Sequence, residues 1–441
     1  MKKHVALFSV ILLGFAATAA LAIDIPLKYV KYPEKTEEFF PYGSSRAEMT
    51  LKPPAGEWKL PELFSQQPIY MLAKLGDTER LMVFDRQKAE DSFYNRIYYD
   101  ANGNRDLTDD DTLDGTFREQ GSMTYVEMAP VDTEVSVEGK TLPYSFLPYL
   151  IGYNLAQLED KELEEKTINR NVIFYLRPHC MYTASFKQGG REYHISLGDT
   201  NCNGRFADVF KARKFSTAIP RRMSIYGEGD NFYISASEEL SSFDSQYLGE
   251  WLVIEDTLYE LAISTADKKI TLTPVSQGLA GLKLSMRPEV LTLNTEDENN
   301  CVMMIQPAEV VKVPEGRYRL LYYKIHKEDE QGDLWRLCAS GSTESPYFTV
   351  DASNGAECRF GEPYVPFVET RNTNSARGTY LMFNVEGGGR ELLSDLSHIK
   401  GEKTEIALSE AEGATQRPKE PSYRIVKADG EIVTQGDFEY G

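Results

Sequence analysis

Apolar and polar residues alternate in many short runs along this chain, and glycine or Asp/Asn turns separate the runs. A period of two belongs to strands with one face buried, so the pattern predicts a mainly β protein built of antiparallel sheets. Three hairpins stand out. In LYELAISTADKKITLTP, Tyr259, Leu261 and Ile263 point one way, TADKK turns, and Ile270 and Leu272 return. In TASFKQGGREYHISL, Gly189-Gly190 supplies a two-residue turn. At the C-terminus, YRIVKADGEIVTQGDFEY turns at Asp429-Gly430. One short helix is expected from Leu155 to Ile168 (LAQLEDKELEEKTI), charged enough to lie on the surface, with a shorter helical turn near Glu391–His398. The fold class expected is therefore antiparallel β-sandwich-type domains with one short helix.

The pattern changes near residues 280–290. After that point, VKVPEGRYRLLYYKI has the Pro-x-Gly turn and tyrosine-rich strand of a β-sandwich module. A boundary is expected near 285, with residues 23–285 as β-rich domain or domains and 286–441 as a sandwich-like region; a polar loop falls at 409–421. Residues 1–22 break the pattern altogether. Two lysines, an apolar run and Ala20-Leu21-Ala22 read as a secretory signal peptide cut after Ala22. The apolar run is shorter than the roughly 20 residues of a membrane span. The expected location is secreted or periplasmic, with no span left after cleavage.

Charge narrows the partners. Removing Lys2 and Lys3 from 48 basic residues, against 68 acidic ones, takes the net charge from −20 to −22. Such a chain repels phosphate backbones, so no nucleic-acid partner is expected. The five cysteines are too few for a disulfide scaffold and form no C-x-x-C pair. An odd number leaves at least one thiol free, and Cys338 with Cys358 is the pair considered for a bridge.

Two segments carry candidate chemistry. In YDANGNRDLTDDD, counting Asp100 as position 1, oxygen side chains fall at Asp100, Asn102, Asn104, Asp109 and Asp111. In GDTNCNGRFADVF, counting Asp199 as position 1, they fall at Asp199, Asn201, Asn203 and Asp208. The two starts lie 99 residues apart. Each loop follows an alternating strand (RIYY, EYHISL), has an apolar residue at position 8 (Leu107, Phe206) and has an aspartate at position 10. Calcium takes six to eight oxygen ligands, and a short chain wraps it only if alternate residues point inward. Position 7, Asp106 or Arg205, would then offer its backbone carbonyl, a later carboxylate would close the shell, and the apolar residue would pin the loop to the core.

This spacing resembles the EF-hand calcium loop, D-x-[DN]-x-[DN]-G, over about 12 residues at each site. The resemblance implies Ca2+ held by Asp100, Asn102, Asn104, Asp106, Asp109 and Asp111, and by Asp199, Asn201, Asn203, Arg205 and Asp208. It departs from the pattern in several ways. Position 12 is Asp111 or Phe210 where the family has a bidentate glutamate, which leaves the shared acid at position 10 as a candidate closing ligand. Position 6 of the first loop is Arg105, where a left-handed backbone costs roughly 1 kcal/mol, unless Gly103 or Asn104 takes the turn. No exiting helix follows either loop. A dockerin has such loops too, but closer together and leading into helices. The whole chain is similar to a type of exported bacterial protein that combines D-x-N-x-N loops with β modules, a resemblance that implies no activity.

The catalytic motifs are missing. None of His179, His194, His326 and His398 stands in H-E-x-x-H or H-x-H spacing, and no G-x-S-x-G, P-loop or dinucleotide fingerprint occurs. His179 and Cys180 are neighbours on an expected strand and so point to opposite faces. Acidic residues are abundant, but nothing nominates a glycosidase pair. Trp58, Trp251 and Trp335 are expected in cores before a sugar-binding face. The chain thus reads as an exported calcium-binding structural or binding protein with no catalysis of its own. The rivals are a carbohydrate-binding or adhesin-type surface module with a glycan or other cell-surface partner, and a polymer-degrading hydrolase.

Overall fold

The computed structural model describes residues 22–32, 48–153 except 92, 168–213 except 170, 222–297 except 237–239, 242 and 243, then 299–372, 379–399 and 420–439. The signal-peptide residues before Ala22, residues 155–167 of the expected helix and most of the 409–421 loop lie outside them. The chain is mainly β, and nearly every strand pairing is antiparallel. All three expected hairpins form. Gln188 pairs Arg191 across the Gly189-Gly190 turn, Ser264 pairs Lys269, and Val426 pairs Ile432. No described helix is long and apolar enough to cross a membrane.

A 12-stranded sheet forms the spine. Its order runs from Ile23–Pro26 through the 257–274 hairpin and Trp251–Ile254 to Cys301–Ile305, Val290–Thr295, Gly316–Glu328, Leu334–Ser340, Leu392–Ile399, Thr379–Glu386 and Val365–Asn372. Near its middle both faces are buried. In Cys301–Ile305 all five residues are buried, with Cys301, Met303 and Ile305 in one core and Val302 and Met304 in another. A strand covered on both faces reads as a continuous apolar run, as in CVMMI, where a one-sided strand alternates.

The larger core joins this face of the spine to three smaller sheets: one over 69–114, one over 116–178, and one containing Cys180–Gln188, Arg191–Gly198 and Asn231–Ser235. The second core joins the opposite face of the spine to a three-stranded sheet of Leu279–Leu284, Val310–Pro314 and Ala356–Cys358. Residue 285 itself lies between two strands, and the spine takes strands from both sides of it.

Two expectations are corrected. The helical turn near Glu391–His398 is the strand Leu392–Ile399, paired with Leu334–Ser340. Leu393 and Leu396 stand three apart, which suits a helix, yet both pack on the second core because the pairing shifts register beside Cys338 and Ala339. A bulge inserts one residue and so lets an odd spacing share one face. The Cys338–Cys358 bridge does not form; all five thiols are free and buried, each filling core volume as a small apolar side chain.

Candidate metal centre

The first loop leaves the strand Arg96–Tyr99 of the 69–114 sheet. The Asp100 N–H still bonds the Leu81 carbonyl at 3.0 Å, so its backbone continues the ladder. Leu107 seats the other end. It is 1 % exposed in a small core with Tyr70, Leu81, Val83 and Tyr98, under Trp58, Leu60 and Leu63. Between these anchors Lys59 bonds the loop backbone through Arg105 O and Leu107 N, both at 2.9 Å. The position-8 residue thus pins the loop as its spacing implied. Phe206 does the same for the second loop, packing on the rings of Tyr144 and Tyr182.

The two loops share one conformation. Positions 4 and 6 are left-handed in both: Gly103 (φ 75°) and Arg105 (φ 67°) in the first, Cys202 (φ 53°) and Gly204 (φ 81°) in the second. Each loop has glycine at one of the two sites, and the sites are exchanged. Gly103 and Arg105 therefore both turn, and Arg105 carries the strain while its guanidinium lies 5.3 Å from the Trp58 ring. The polar bonds repeat as well. Oδ1 of Asn102 and of Asn201 accepts from the N–H of Asn104 (2.8 Å) and Asn203 (3.1 Å). Oδ1 of Asn104 and of Asn203 accepts from the N–H of Asp106 (2.7 Å) and Arg205 (2.8 Å). The amide nitrogens then face the position-10 acid. Nδ2 of Asn102 and Asn104 donates to Asp109 at 3.5 and 2.8 Å, and Nδ2 of Asn201 and Asn203 to Asp208 at 2.9 and 2.6 Å. Positions 3, 5 and 10 therefore converge, with amide N–H groups where a cation would lie.

One hairpin touches both loops. At its turn, Gly76 N–H bonds Asn203 O at 2.6 Å and Asp77 pairs with Arg205. Farther along its second strand, Leu81 holds Asp100 and the Arg80 guanidinium lies against Gly103, where a Cβ would meet Nη1 at 2.2 Å.

The loops differ at their buried acids. Asp100 is 0 % exposed, and neither of its carboxylate oxygens has a hydrogen-bond partner. Oδ2 of Asp110 is buried and unpartnered too. Burial pushes the Asp110 carboxyl up and the charges of Asp100 and Asp109 add to this, while the N–H groups of Ala101 and Asn102 oppose it. In the second loop Asp199 is equally buried but satisfied: Tyr144 OH (2.6 Å) and Gly204 N–H (2.7 Å) donate to Oδ2, and Asn203 N–H (3.1 Å) to Oδ1. Burial still pushes its carboxyl up to about 7. Asp230, 1 % exposed, enters from outside this loop and accepts from Thr200 N–H and Asp208 N–H, both at 2.9 Å. Its carboxyl is pushed well above the ordinary range by burial and by Asp199 and Asp208.

The side chain of Asp106 turns outward to Lys59 at 2.7 Å; Lys59 and Thr108 hold its carboxyl down at about 2. Asp111 is exposed, and Phe210 is buried against Tyr247. Asp110 and Asp230 were missed by the spacing argument. Asp110 stands among three consecutive aspartates, and Asp230 lies outside the loop motif, so only its fold neighbours reveal it. Comparison of the chain with protein-family models, curated proteins and solved structures finds no match.

Among the described residues, no group of three His, Cys, Asp or Glu side chains has a metal-holding arrangement, and no ion pair joins Asp100, Asp109, Asp110, Asp199, Asp208 or Asp230 to a basic side chain. A cation in either loop would thus need asparagine and carbonyl oxygens beside the carboxylates, with the asparagine amides turned to present Oδ1. An all-oxygen donor set of this kind suits a hard cation such as calcium. The residues fit best at the first loop, where a buried carboxylate has no other partner.

The other candidates have internal partners. His179 lies against the Tyr32 ring with its Nδ1 3.4 Å from Ser145 Oγ, and the Cys180 thiol meets the Ser145 backbone. Trp335 stacks on His398 and donates to Asp329 at 2.8 Å; Trp251 packs on the second core.

Proposed function

We propose that this is an exported calcium-binding structural protein, with the first loop as its principal site and no catalytic step of its own. The observation that carries this reading is Asp100: a carboxylate at 0 % exposure with both oxygens unpartnered. A buried charge is ordinarily paired, hydrogen-bonded or bound to a metal. Asp110 and Asp109 would add negative charge to the site, and Asn102, Asn104 and the Asp106 carbonyl would add neutral oxygen. The second loop would bind more weakly, because three protein donors already hold Asp199. Calcium would neutralise clustered acids in a strongly acidic chain and tie two strand ends to the small core under Trp58. Extracellular calcium modules work near ~10⁻⁴–10⁻³ M, which suits a secreted or periplasmic setting.

Calorimetric titration of calcium into the chain from Ile23 onward, stripped with chelator, tests this. A binding event is expected whose larger part disappears in Asp100→Ala and persists in Asp199→Asn. A flat titration of the parent protein would overturn the proposal.

A further inference from the structure

Lysine is rarely buried, yet Lys324 is. It forms an ion pair with Asp244 in which the two side chains are 8 % and 5 % exposed, while the other lysines of the described ion pairs are 44 % exposed or more. Topology brings the pair together. Tyr323 and Ile325 pack in the second core, so Lys324, between them in the strand Gly316–Glu328, points to the opposite face of the spine. Asp244 comes just ahead of the strand Ser245–Tyr247 of the Cys180–Gln188 sheet, 80 residues away in the chain. Glu289 donates its N–H to the Lys324 carbonyl at 2.9 Å and sets its Oε2 3.4 Å from the same Nζ. His326 Nδ1 holds Oε1 of Glu289. The two oxygens of Asp244 differ in their partners. Oδ1 meets Lys324 Nζ, and Oδ2 accepts from both the N–H and the Oγ–H of Ser241, each at 2.8 Å.

We propose that Lys324 and Asp244 condense to an amide, an isopeptide crosslink that the folded chain makes on itself with Glu289 as proton relay. The Lys324 ammonium passes a proton to Glu289, and the freed Nζ attacks Asp244 Cγ. Charge gathers on Oδ2, where the two Ser241 donors already point. The Cγ–Oδ1 bond then breaks, and Oδ1 leaves as water with two of the three ammonium protons, carried across by Glu289. Glu289 ends as it began, the charges of the ion pair cancel, and no oxidant or reductant takes part. Held contact replaces the encounter of two reactants, which removes much of the entropic barrier to condensation. Burial works against the Lys324 ammonium, but Asp244 and Glu289 outweigh it and hold its proton on above the ordinary lysine value, so the proton leaves only to a carboxylate of the cluster. The product relieves the burial. Two desolvated charges become one neutral amide, whose N–H faces Glu289 and whose carbonyl keeps Ser241, while His326 remains on Glu289. The bond ties the spine to a neighbouring sheet in a chain whose five thiols are all free. It forms once per molecule, turns over no substrate and is independent of the calcium proposal.

Tryptic digestion and mass spectrometry of the purified full chain test it. A branched peptide is expected that joins the segments holding Lys324 and Asp244, one water lighter than their sum, with no cut after Lys324. Lys324→Arg and Asp244→Ala should each abolish it. Glu289→Gln should slow closure roughly a hundredfold, read as the crosslinked fraction over time in freshly made protein. Cooperative melting of the parent and of Glu289→Gln checks that both are folded. A folded parent that trypsin cuts after Lys324, with the Asp244 peptide at its full mass, would overturn the proposal. So would a loss of water that survives Lys324→Arg, or closure of Glu289→Gln at the parent rate.

Discussion

Replacing Asp100 with asparagine removes one negative charge from a fully buried position and leaves the side-chain shape almost unchanged. Without metal, the parent protein bears the desolvation of a carboxylate that no donor contacts, a cost of several kcal/mol. The amide that replaces it also lacks partners, at about 1–3 kcal/mol. The variant should therefore be the more stable form in chelator, by roughly 2 kcal/mol. Calcium reverses the order. At 10 mM ion and a Kd near ~10⁻⁴ M, the parent gains about 2.7 kcal/mol and the variant loses this site. A chain of about 400 residues unfolding as one unit has an unfolding entropy of roughly 0.8 kcal/mol/K, so both effects appear as Tm shifts of about 2.5–3.5 °C. Scanning calorimetry of both proteins, each in chelator and in calcium, gives four curves. The expected result is a crossing: Asp100→Asn melts higher in chelator and rises less with calcium than the parent, through the second loop alone. Coincident parent curves in the two buffers, or a variant that melts lower by the same amount in both, would refute the reasoning.

Other outcomes follow from the same geometry. Leu107→Ala should cost about 2–5 kcal/mol in urea unfolding and weaken calcium binding, since it empties the small core that seats the first loop. Gly103→Ala should destabilise the fold and lower calcium affinity together, because a Cβ at φ 75° would also meet the buried Arg80 guanidinium at 2.2 Å; hydrogen exchange should show the first loop and the 78–85 strand loosening together. The pH dependence has a defined sign at Glu289: burial alone would raise its carboxyl, but His326 and Lys324 overcome this and hold it below the ordinary value of 4.5. Its contribution to stability should be fully present above that pH and fall as pH drops through the depressed value, so Glu289→Gln should flatten this part of the acid limb in urea midpoints measured from pH 7 to 3.

Much of the fold was legible in one dimension. Turn chemistry placed the Gly189-Gly190, TADKK and Asp429-Gly430 hairpins, because a tight turn depends on a few adjacent residues. The oxygen spacing after Asp100 and Asp199, and the anchors Leu107 and Phe206, were legible for the same reason: a loop of about 12 residues contains its own pattern. The helical turn expected near Glu391–His398 is a strand, in which a bulge against Cys338 and Ala339 puts Leu393 and Leu396 on one face. The spine sheet takes strands from both sides of the boundary expected at 285, because sheet pairing joins residues at any sequence separation.

What the sequence determined by itself is local: strand periodicity, turn positions, an acidic surface, and two loops with oxygen at alternating places. Only the tertiary structure decided which acids are buried, and it left Asp100 unpartnered while surrounding Asp199 with Tyr144, Asn203 and Gly204. It also brought Asp110 and Asp230 beside those acids and set Lys324 between Asp244 and Glu289. The reason is physical. The cost of a charge depends on water and on every donor within reach, and those neighbours come from strands distant in the chain.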